Sequence, residues 1–206
     1  MNVADNSGHM SKEDIRKKAK TYRSGLDAGE VDRISRLIAL TVLQSELYRK
    51  AEHILSYIPI EKNREIDTNR INHQILNDGK VLVLPRMAEN SNQLELIQTT
   101  DLNLLYKNSL HISEPIGNQY ISIEVIDLVL VPMLAGDYQL NRLGYGKGYY
   151  DRLLERFAGK SCGLLYDECL HERIPAESHD CPLDHIITEK RIIPETTGMR
   201  LKKELD

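Results

Sequence analysis

Hydrophobic positions along the chain follow two spacings, and each spacing predicts its own elements. Apolar residues at helical spacing predict helices over 11–25, 30–52, 67–79 and 148–157. Ser11 suits the N-cap of the first helix and Gly25 suits its end. Short apolar runs predict strands over 53–58, 80–84, 94–98, 127–131, 162–166 and 185–188.

The succession of strand 53–58, helix 67–79 and strand 80–84 predicts how the sheet is built. After Lys80 the second of these strands is wholly apolar, which is typical of a strand buried on both faces. Two strands joined by a helix run parallel in one sheet. The sequence therefore predicts an α/β fold, a single three-layer domain with a mostly parallel sheet.

Length and composition narrow the class of protein. A chain of 206 residues with 41% hydrophobic residues suits one domain with a buried core. We predict that domain over 11–194, with 1–10 as an extension or tag remnant and 195–206 as a polar tail. The net charge of −4 offers no basic excess for nucleic acid. No apolar run approaches the ~20 residues that span a bilayer. Three cysteines and no secretory signal favour the cytoplasm.

A glycine-rich loop is the most informative segment. Residues 142–151 read RLGYGKGYYD, with glycines at 144, 146 and 148 between an apolar strand and a helix. Backbone N–H groups of such a loop can converge on an anion, and the following helix start adds positive potential. The spacing fits neither a Walker A loop nor the dinucleotide fingerprint. We therefore predict a phosphate-binding loop of another kind, and the alternative is a tight turn with Tyr149 and Tyr150 in the core.

Charged residues near the loop and at the N-terminus bear on that choice. Arg142 and Lys147 flank the glycines, and Asp151 follows one helical turn later as a possible Mg²⁺ ligand. Lys12 and Arg16 lie four residues apart on one helix face and could clamp a phosphate chain. The alternative for this pair is a solvated basic face, since further lysines surround it.

Motifs along most of the chain resemble those of the 5-formyltetrahydrofolate cyclo-ligase family, also called methenyltetrahydrofolate synthetase. They are, in order, KEDIR at 12–16, EIDT at 65–68, LPR at 84–86, EP at 114–115, DLVLVPMLAGD at 127–137, RLGYGKGYYD at 142–151, IPAESHD at 174–180 and LDHIITE at 183–189. Two positions depart from the family's usual pattern, because Met133 and Gly136 stand where Gly and Phe are common. The loop before Glu65 is also longer.

The resemblance implies ATP- and Mg²⁺-dependent closure of 5-formyltetrahydrofolate to 5,10-methenyltetrahydrofolate, with release of ADP and phosphate. It also implies a fold like that of sugar-phosphate isomerases and CoA transferases. Two other functions remain as alternatives: an isomerase-like enzyme on this fold, and a folate- or nucleotide-binding protein without turnover. The oligomeric state is left open, and a monomer is compatible with the sequence.

The resemblance implies roles residue by residue. Arg142 and Lys147 would be catalytic. ATP would be bound by Lys12, Arg16, Arg142, Leu143, Gly144, Tyr145, Gly146, Lys147, Gly148, Tyr149 and Tyr150. Folate would be bound by Glu65, Tyr145, Gly146, Lys147, Gly148 and Tyr149. Asp151 and Asp180 would ligate Mg²⁺. A competing zinc site at Cys169, His171, His179 and Cys181 has unusual spacing for a zinc finger.

Overall fold

The computed structural model describes residues 10–88, 91, 93–177 and 180–194. Residues 1–9 of the predicted extension 1–10 and the whole predicted tail at 195–206 lie outside them. The described residues contain five α-helices: α1 Lys12–Gly25, α2 Ala28–Gln44, α3 Glu46–Lys50, α4 Asn69–Asn77 and α5 Tyr149–Leu154. Single turns of 3-10 helix lie at Glu61–Asn63, Ile123–Val125 and Asp167–Cys169.

Polar side chains set where the first helices begin and end. Ser11 caps α1 as predicted, since its side chain accepts a hydrogen bond from the Asp14 N–H. Asp27 and Glu30 form a capping box at the start of α2. The prediction of one helix over 30–52 was wrong, because Ser45 is extended and its side chain accepts from the Tyr48 N–H. That hydrogen bond ends α2 and starts α3.

Within the described part of the chain, twelve strands form three sheets. They are β1 His53–Leu55, β2 Val81–Met87, β3 Leu94–Gln98, β4 Leu105–Lys107, β5 Ser113–Pro115, β6 Leu128–Pro132, β7 Ala135–Asp137, β8 Arg142–Leu143, β9 Lys160–Leu164, β10 Leu170–His171, β11 His185–Ile187 and β12 Ile192–Ile193. The largest sheet has the order β12-β11-β9-β6-β1-β2-β3.

The predicted mostly parallel sheet is confirmed. From β11 through β9, β6 and β1 to β2 all neighbours are parallel, and only β12 and β3 pair antiparallel at the edges. Consecutive residues of β6, Leu128 to Val131, are all buried, and so are Leu82 to Leu84 in β2. Because successive side chains in a strand point to opposite faces, both faces of the sheet are covered. Strand 53–58 is shorter than predicted and ends at Leu55.

The two small sheets were missed by the sequence pattern, and one of them places the glycine loop. β7 pairs antiparallel with β8, and the turn between them is closed by Asp137, which is fully buried. The Asp137 carboxylate accepts hydrogen bonds from the N–H groups of Gln139, Asn141 and Ile174. A buried carboxylate with its lone pairs satisfied in this way is a structural anchor. It fixes the point from which residues 142–151 emerge.

Met133 and Gly136, the two departures from the family pattern, lie against each other. A Cβ on Gly136 would lie 2.5 Å from Met133 Cε, and one on Gly163 would lie 2.3 Å from Met133 Sδ. The Met133 side chain therefore occupies the volume above both glycines. Met133 thus fills space that a side chain at position 136 would otherwise need.

No helix within the described part of the chain is long and apolar enough to cross a membrane.

Candidate active site

One cavity of about 560 Å³ is lined by every residue to which the resemblance assigned a catalytic, ATP, folate or Mg²⁺ role. It is lined by Lys12, Arg16, Tyr57, Ile58, Ile60, Lys62, Asn63, Glu65, Pro85, Met87, Leu94, Leu110, Ile112, Ser113, Glu114, Pro132, Arg142 to Asp151, and Asp180. Residues 130 or more positions apart in the chain thus meet at one place. The structure brings the predicted site residues together, and their individual roles remain predictions.

The backbone N–H groups of the glycine loop are available to donate hydrogen bonds to a ligand. None of the N–H groups from Gly144 to Gly148 donates a hydrogen bond to another described residue. Gly146 has φ +90° and Gly148 has φ +68°, conformations that side chains other than glycine's rarely adopt. The predicted helix over 148–157 is shorter, since α5 has six residues. Its dipole is correspondingly small, so anion binding rests on the loop amides and nearby cations.

Helix α1 packs along this loop. Arg16 Nε donates to the Gly144 carbonyl at 3.0 Å, and the Arg16 guanidinium lies 3.5 Å from where a Cβ on Gly146 would stand. Lys20 Nζ lies 5.7 Å from the centroid of the Tyr145 ring. The basic face of α1 is therefore directed at the loop, and for Arg16 this contact argues against a merely solvated position.

Two ion pairs join predicted phosphate-binding cations to predicted metal-binding acids. Lys12 Nζ lies 2.8 Å from Asp180 Oδ2 and 2.9 Å from Glu177 Oε1. Burial lowers the pKa of Lys12, but hydrogen bonds to Asp180 and Glu177 outweigh it and raise the pKa above its ordinary value. The Lys12 ammonium is thus charged at neutral pH.

Arg142 and Asp151 form the second pair, with Arg142 Nη2 2.6 Å from Asp151 Oδ1. The other terminal nitrogen of Arg142 donates to the Cys181 carbonyl. The Arg142 side chain is 5% exposed. Burial lowers the pKa of its guanidinium while the Asp151 charge opposes that shift. A guanidinium stays protonated in proteins, so Arg142 brings a fixed positive charge to the cavity.

Glu65 and three tyrosines line a second part of the same cavity. Glu65 is 6% exposed, and its Oε2 accepts from the Ile60 N–H at 2.8 Å. Burial raises the pKa of Glu65, whereas the hydrogen bonds from Ile60 and Tyr145 lower it. Burial also raises the pKa values of Tyr57, Tyr145 and Tyr150, so all three are neutral donors at physiological pH. Glu65 therefore presents a buried carboxylate among neutral tyrosine hydroxyls.

Several residues of the site were missed by sequence reasoning. Arg152 braces the loop, because its Nη2 donates to the Lys147 carbonyl at 2.9 Å and its guanidinium lies 5.7 Å from the Tyr149 ring centroid. Glu114 is 3% exposed and accepts from the Met87 N–H and the Tyr106 hydroxyl. Glu114 belongs to the motif at 114–115, for which the resemblance implied no role. The longer loop before Glu65 contributes Ile60 and Asn63 to the lining.

The competing zinc site finds no support among the described residues, which contain no group of three or more His, Cys, Asp or Glu able to hold a metal. His179 lies outside them. Cys169 is 2% exposed, and burial raises the pKa of its thiol to about 11. A buried thiol of that kind is a poor metal ligand at neutral pH.

Comparisons with known proteins agree with the geometry. The model of the 5-formyltetrahydrofolate cyclo-ligase family matches residues 9–189. The mouse 5-formyltetrahydrofolate cyclo-ligase is 29% identical over 194 residues, which cover 88% of this chain and 95% of the mouse protein. The Arabidopsis thaliana mitochondrial cyclo-ligase is 27% identical, over 88% of this chain and 74% of its own length.

A solved structure extends the likeness to three dimensions. The NMR structure of Aquifex aeolicus 5,10-methenyltetrahydrofolate synthetase superposes with a TM-score of 0.80 and 31% identity, over 94% of this chain and 97% of that one. The synthetase from Mycoplasma pneumoniae, 22% identical with a TM-score of 0.69, shares the fold. The family match covers most of the chain, so this protein belongs to the 5-formyltetrahydrofolate cyclo-ligase family.

Proposed function

We propose that this chain is a 5-formyltetrahydrofolate cyclo-ligase that uses ATP to close 5-formyltetrahydrofolate to 5,10-methenyltetrahydrofolate. One observation carries the proposal. A loop whose backbone N–H groups donate to no other described residue, flanked by cations, shares a cavity with a buried carboxylate in a tyrosine-lined recess. The first half of that arrangement suits a polyphosphate, and the second half suits a flat heterocycle with N–H donors.

The phosphate end would hold ATP. The amides of Gly144 to Gly148 offer donors to phosphate oxygens, and Arg16 lies beside them. Lys12, Arg142 and Lys147 add three more positive charges around the same cavity. Phosphoryl transfer depends mainly on positioning and charge neutralisation, so a site of this composition fits it without a protein nucleophile.

The folate end would be recognised by Glu65. Its two carboxylate oxygens can accept hydrogen bonds from adjacent N–H groups of the pterin ring, an interaction of charged and neutral partners worth about 1.5–3 kcal/mol. Tyr145 lies within the phosphate loop and Tyr149 directly follows it, and both line the same cavity as Glu65. The two substrates would therefore meet along 145–149.

The chemistry follows from the poor leaving ability of a formyl oxygen. The formyl oxygen attacks the γ-phosphorus, and the bond to the leaving ADP oxygen breaks. N10 then attacks the activated formyl carbon and loses its proton. The carbon–oxygen bond breaks, and the oxygen leaves with phosphate. Arg142 and Lys147 would offset the charge that moves onto the transferred group and the leaving phosphate.

Mg²⁺ is the metal that the family implies, and the donor set fits it. Asp151 and Asp180 both line the cavity and offer hard oxygen ligands, of which Mg²⁺ needs only one or two besides water and phosphate oxygens. Bound there, Mg²⁺ would neutralise phosphate charge. Asp151 and Asp180 contact Arg142 and Lys12 in this structure, so ligand binding would exchange partners: the cations move to phosphate and the carboxylates are released.

The test is the appearance of methenyl absorbance from 5-formyltetrahydrofolate, ATP and Mg²⁺. We expect product with all three components and none without ATP. A protein that binds both ligands without forming product would be the non-catalytic alternative and would contradict the proposal. Turnover of a sugar phosphate in the absence of ATP would favour the isomerase alternative instead.

A further inference from the structure

Arg23 is a buried cation next to the folate end that the proposed mechanism does not use. It lies in the last turn of α1, is 3% exposed and does not line the cavity. One terminal nitrogen donates to the Met133 carbonyl. Among the described residues it forms no ion pair, and its Nε is buried with no hydrogen-bond partner. A buried charge without a paired acid is costly unless another part of the structure uses its field.

Two connections link Arg23 to Glu65. The Arg23 guanidinium lies 5.4 Å from the ring centroid of Tyr166, which is fully buried, and the Tyr166 hydroxyl donates to the Arg64 carbonyl at 2.8 Å. Arg64 has φ +48°, a conformation that needs support from its surroundings in a residue other than glycine. The backbone immediately before Glu65 is thus held through Tyr166, against which Arg23 stacks.

The second connection is electrostatic. The positive charge of Arg23 lowers the pKa of Glu65, against the larger effect of burial, which raises it. The other titratable groups facing Glu65 are Tyr57, Tyr145 and Tyr150, whose pKa values burial raises. All three tyrosines stay neutral between pH 6 and pH 8.5. Within this cluster, Arg23 is therefore the cation that opposes protonation of Glu65.

We propose that Arg23 is a positioning residue for Glu65: its stacking on Tyr166 fixes the segment that presents the Glu65 carboxylate to the pterin, and its buried positive charge attracts that carboxylate. The inference rests on the proposed role of Glu65 in binding folate. It also explains why a guanidinium is buried without a salt bridge. Helix α1 then serves both substrates, with Arg16 at the phosphate loop and Arg23 behind the folate carboxylate.

The test compares Arg23→Gln, which retains a donor for the Met133 carbonyl, with Arg23→Lys, which retains the charge. The KM for 5-formyltetrahydrofolate is measured from pH 6 to pH 8.5. In Arg23→Gln we expect it to rise several-fold more at pH 6 than at pH 8.5, because loss of the positive charge raises the pKa of Glu65 and reduces its ionised fraction most at the acidic end of the range. The KM for ATP should stay within about twofold. Arg23→Lys should restore most of the parent's pH dependence.

A double-mutant comparison separates this role from a purely structural one. In the Glu65→Gln background, where no carboxylate remains to be held ionised, Arg23→Gln should leave the pH profile unchanged. An equal rise in the KM for 5-formyltetrahydrofolate at all pH values would overturn the proposal. The same rise in the parent and in the Glu65→Gln background would also overturn it. Arg23→Met serves as a second neutral variant should Arg23→Gln fail to fold, and Arg36→Met, on the exposed face of α2, is the control.

Failure of the inference and failure of the proposed function look different. If Glu65→Gln itself leaves the KM for 5-formyltetrahydrofolate unchanged, the role of Glu65 is wrong. If Glu65→Gln raises that KM while the Arg23 variants keep the parent's pH profile, only the role of Arg23 is wrong.

Discussion

The two ends of the cavity balance charge in different ways. At the phosphate end each strongly held cation already has an acid: Lys12 contacts Asp180 and Glu177, and Arg142 contacts Asp151. At the folate end Glu65 is buried with hydrogen-bond donors and contacts no cation directly among the described residues. The first end is suited to exchange partners when a charged ligand arrives. The second is suited to present one fixed charge.

The difference matches what each end is proposed to bind. A triphosphate with its metal carries both negative and positive charge. A site that holds both cations and carboxylates can exchange its internal ion pairs for contacts to such a ligand, and no charged group is then left unpaired. A pterin ring is neutral and flat, and an orienting carboxylate gains strength from burial because water does not compete for it. Each prediction below changes one end and leaves the other as an internal control.

The largest effect is expected at the phosphate end. Arg142→Ala removes a charge that offsets the transferred phosphoryl group and leaves Asp151 without its partner. By analogy with the loss of one transition-state donor, kcat should fall by about 10²- to 10³-fold. Methenyl absorbance measures it, with circular dichroism to establish that the variant is folded. The control Arg156→Ala removes an exposed arginine outside the cavity and should leave kcat unchanged. Equal rates in parent and Arg142→Ala would refute the role.

The folate end is tested by Glu65→Gln. Losing a charged acceptor for pterin N–H groups should raise the KM for 5-formyltetrahydrofolate by about 10- to 100-fold, equivalent to about 1.5–3 kcal/mol, with little change in the KM for ATP. Glu61→Gln, on the exposed part of the same segment, is the matched control. If the two KM values rise together, the division of the cavity into two ends is wrong.

Lys12→Met tests the cation that pairs with Asp180. Since Lys12 contributes one of several charges around the phosphates, we expect a rise of about tenfold in the KM for ATP and a smaller change for folate. Added salt should narrow the gap between parent and variant, because Lys12 is partly exposed to solvent. Lys17 is exposed on the same helix, so Lys17→Met is the control for the loss of one positive charge from α1. A selective loss of folate affinity would reverse the assignment of the two ends.

The smallest effect concerns stability. Burial raises the pKa of Glu65 above its value in the unfolded chain, so the folded state holds the proton more tightly and ionisation destabilises it. Glu65→Gln should therefore raise the Tm at pH 8, where the parent carboxylate is charged. That gain should shrink as pH falls into the ordinary range of a glutamate carboxyl. If the difference in Tm between Glu65→Gln and the parent grew as the pH falls, that result would contradict the raised pKa of Glu65.

Continuous apolar runs explain how much of the fold was predictable. β9 and β6 are neighbours in the interior of the sheet and β2 lies beyond β1, and each of the three contains a run of consecutive buried residues, so the sequence marks them clearly. β8 has two residues, and its pairing depends on a turn closed by Asp137, which no periodic pattern records. The break at Ser45 was not predicted because the apolar stripe continues through it. Only the N-cap hydrogen bond of the Ser45 side chain divides the helix.

The candidate site was predictable as a set of residues but not as a set of contacts. Glycine spacing pointed to the loop, and resemblance pointed to Lys12, Glu65 and Asp180. The pairing of Lys12 with Asp180 joins residues 168 positions apart, so local pattern cannot reveal it. The burial of Arg23 could not be predicted from the sequence, because a basic residue in a basic helix indicates solvent exposure. Only the packing of α1 shows that Arg23 is buried.

A crystal structure of the chain with a non-hydrolysable ATP analogue, Mg²⁺ and 5-formyltetrahydrofolate tests the central claim most directly. The account predicts phosphate oxygens against the N–H groups of Gly144 to Gly148, Lys12 moved from Asp180 to phosphate, and the pterin ring on Glu65. A nucleotide bound elsewhere, with those loop amides still unpartnered, would contradict it.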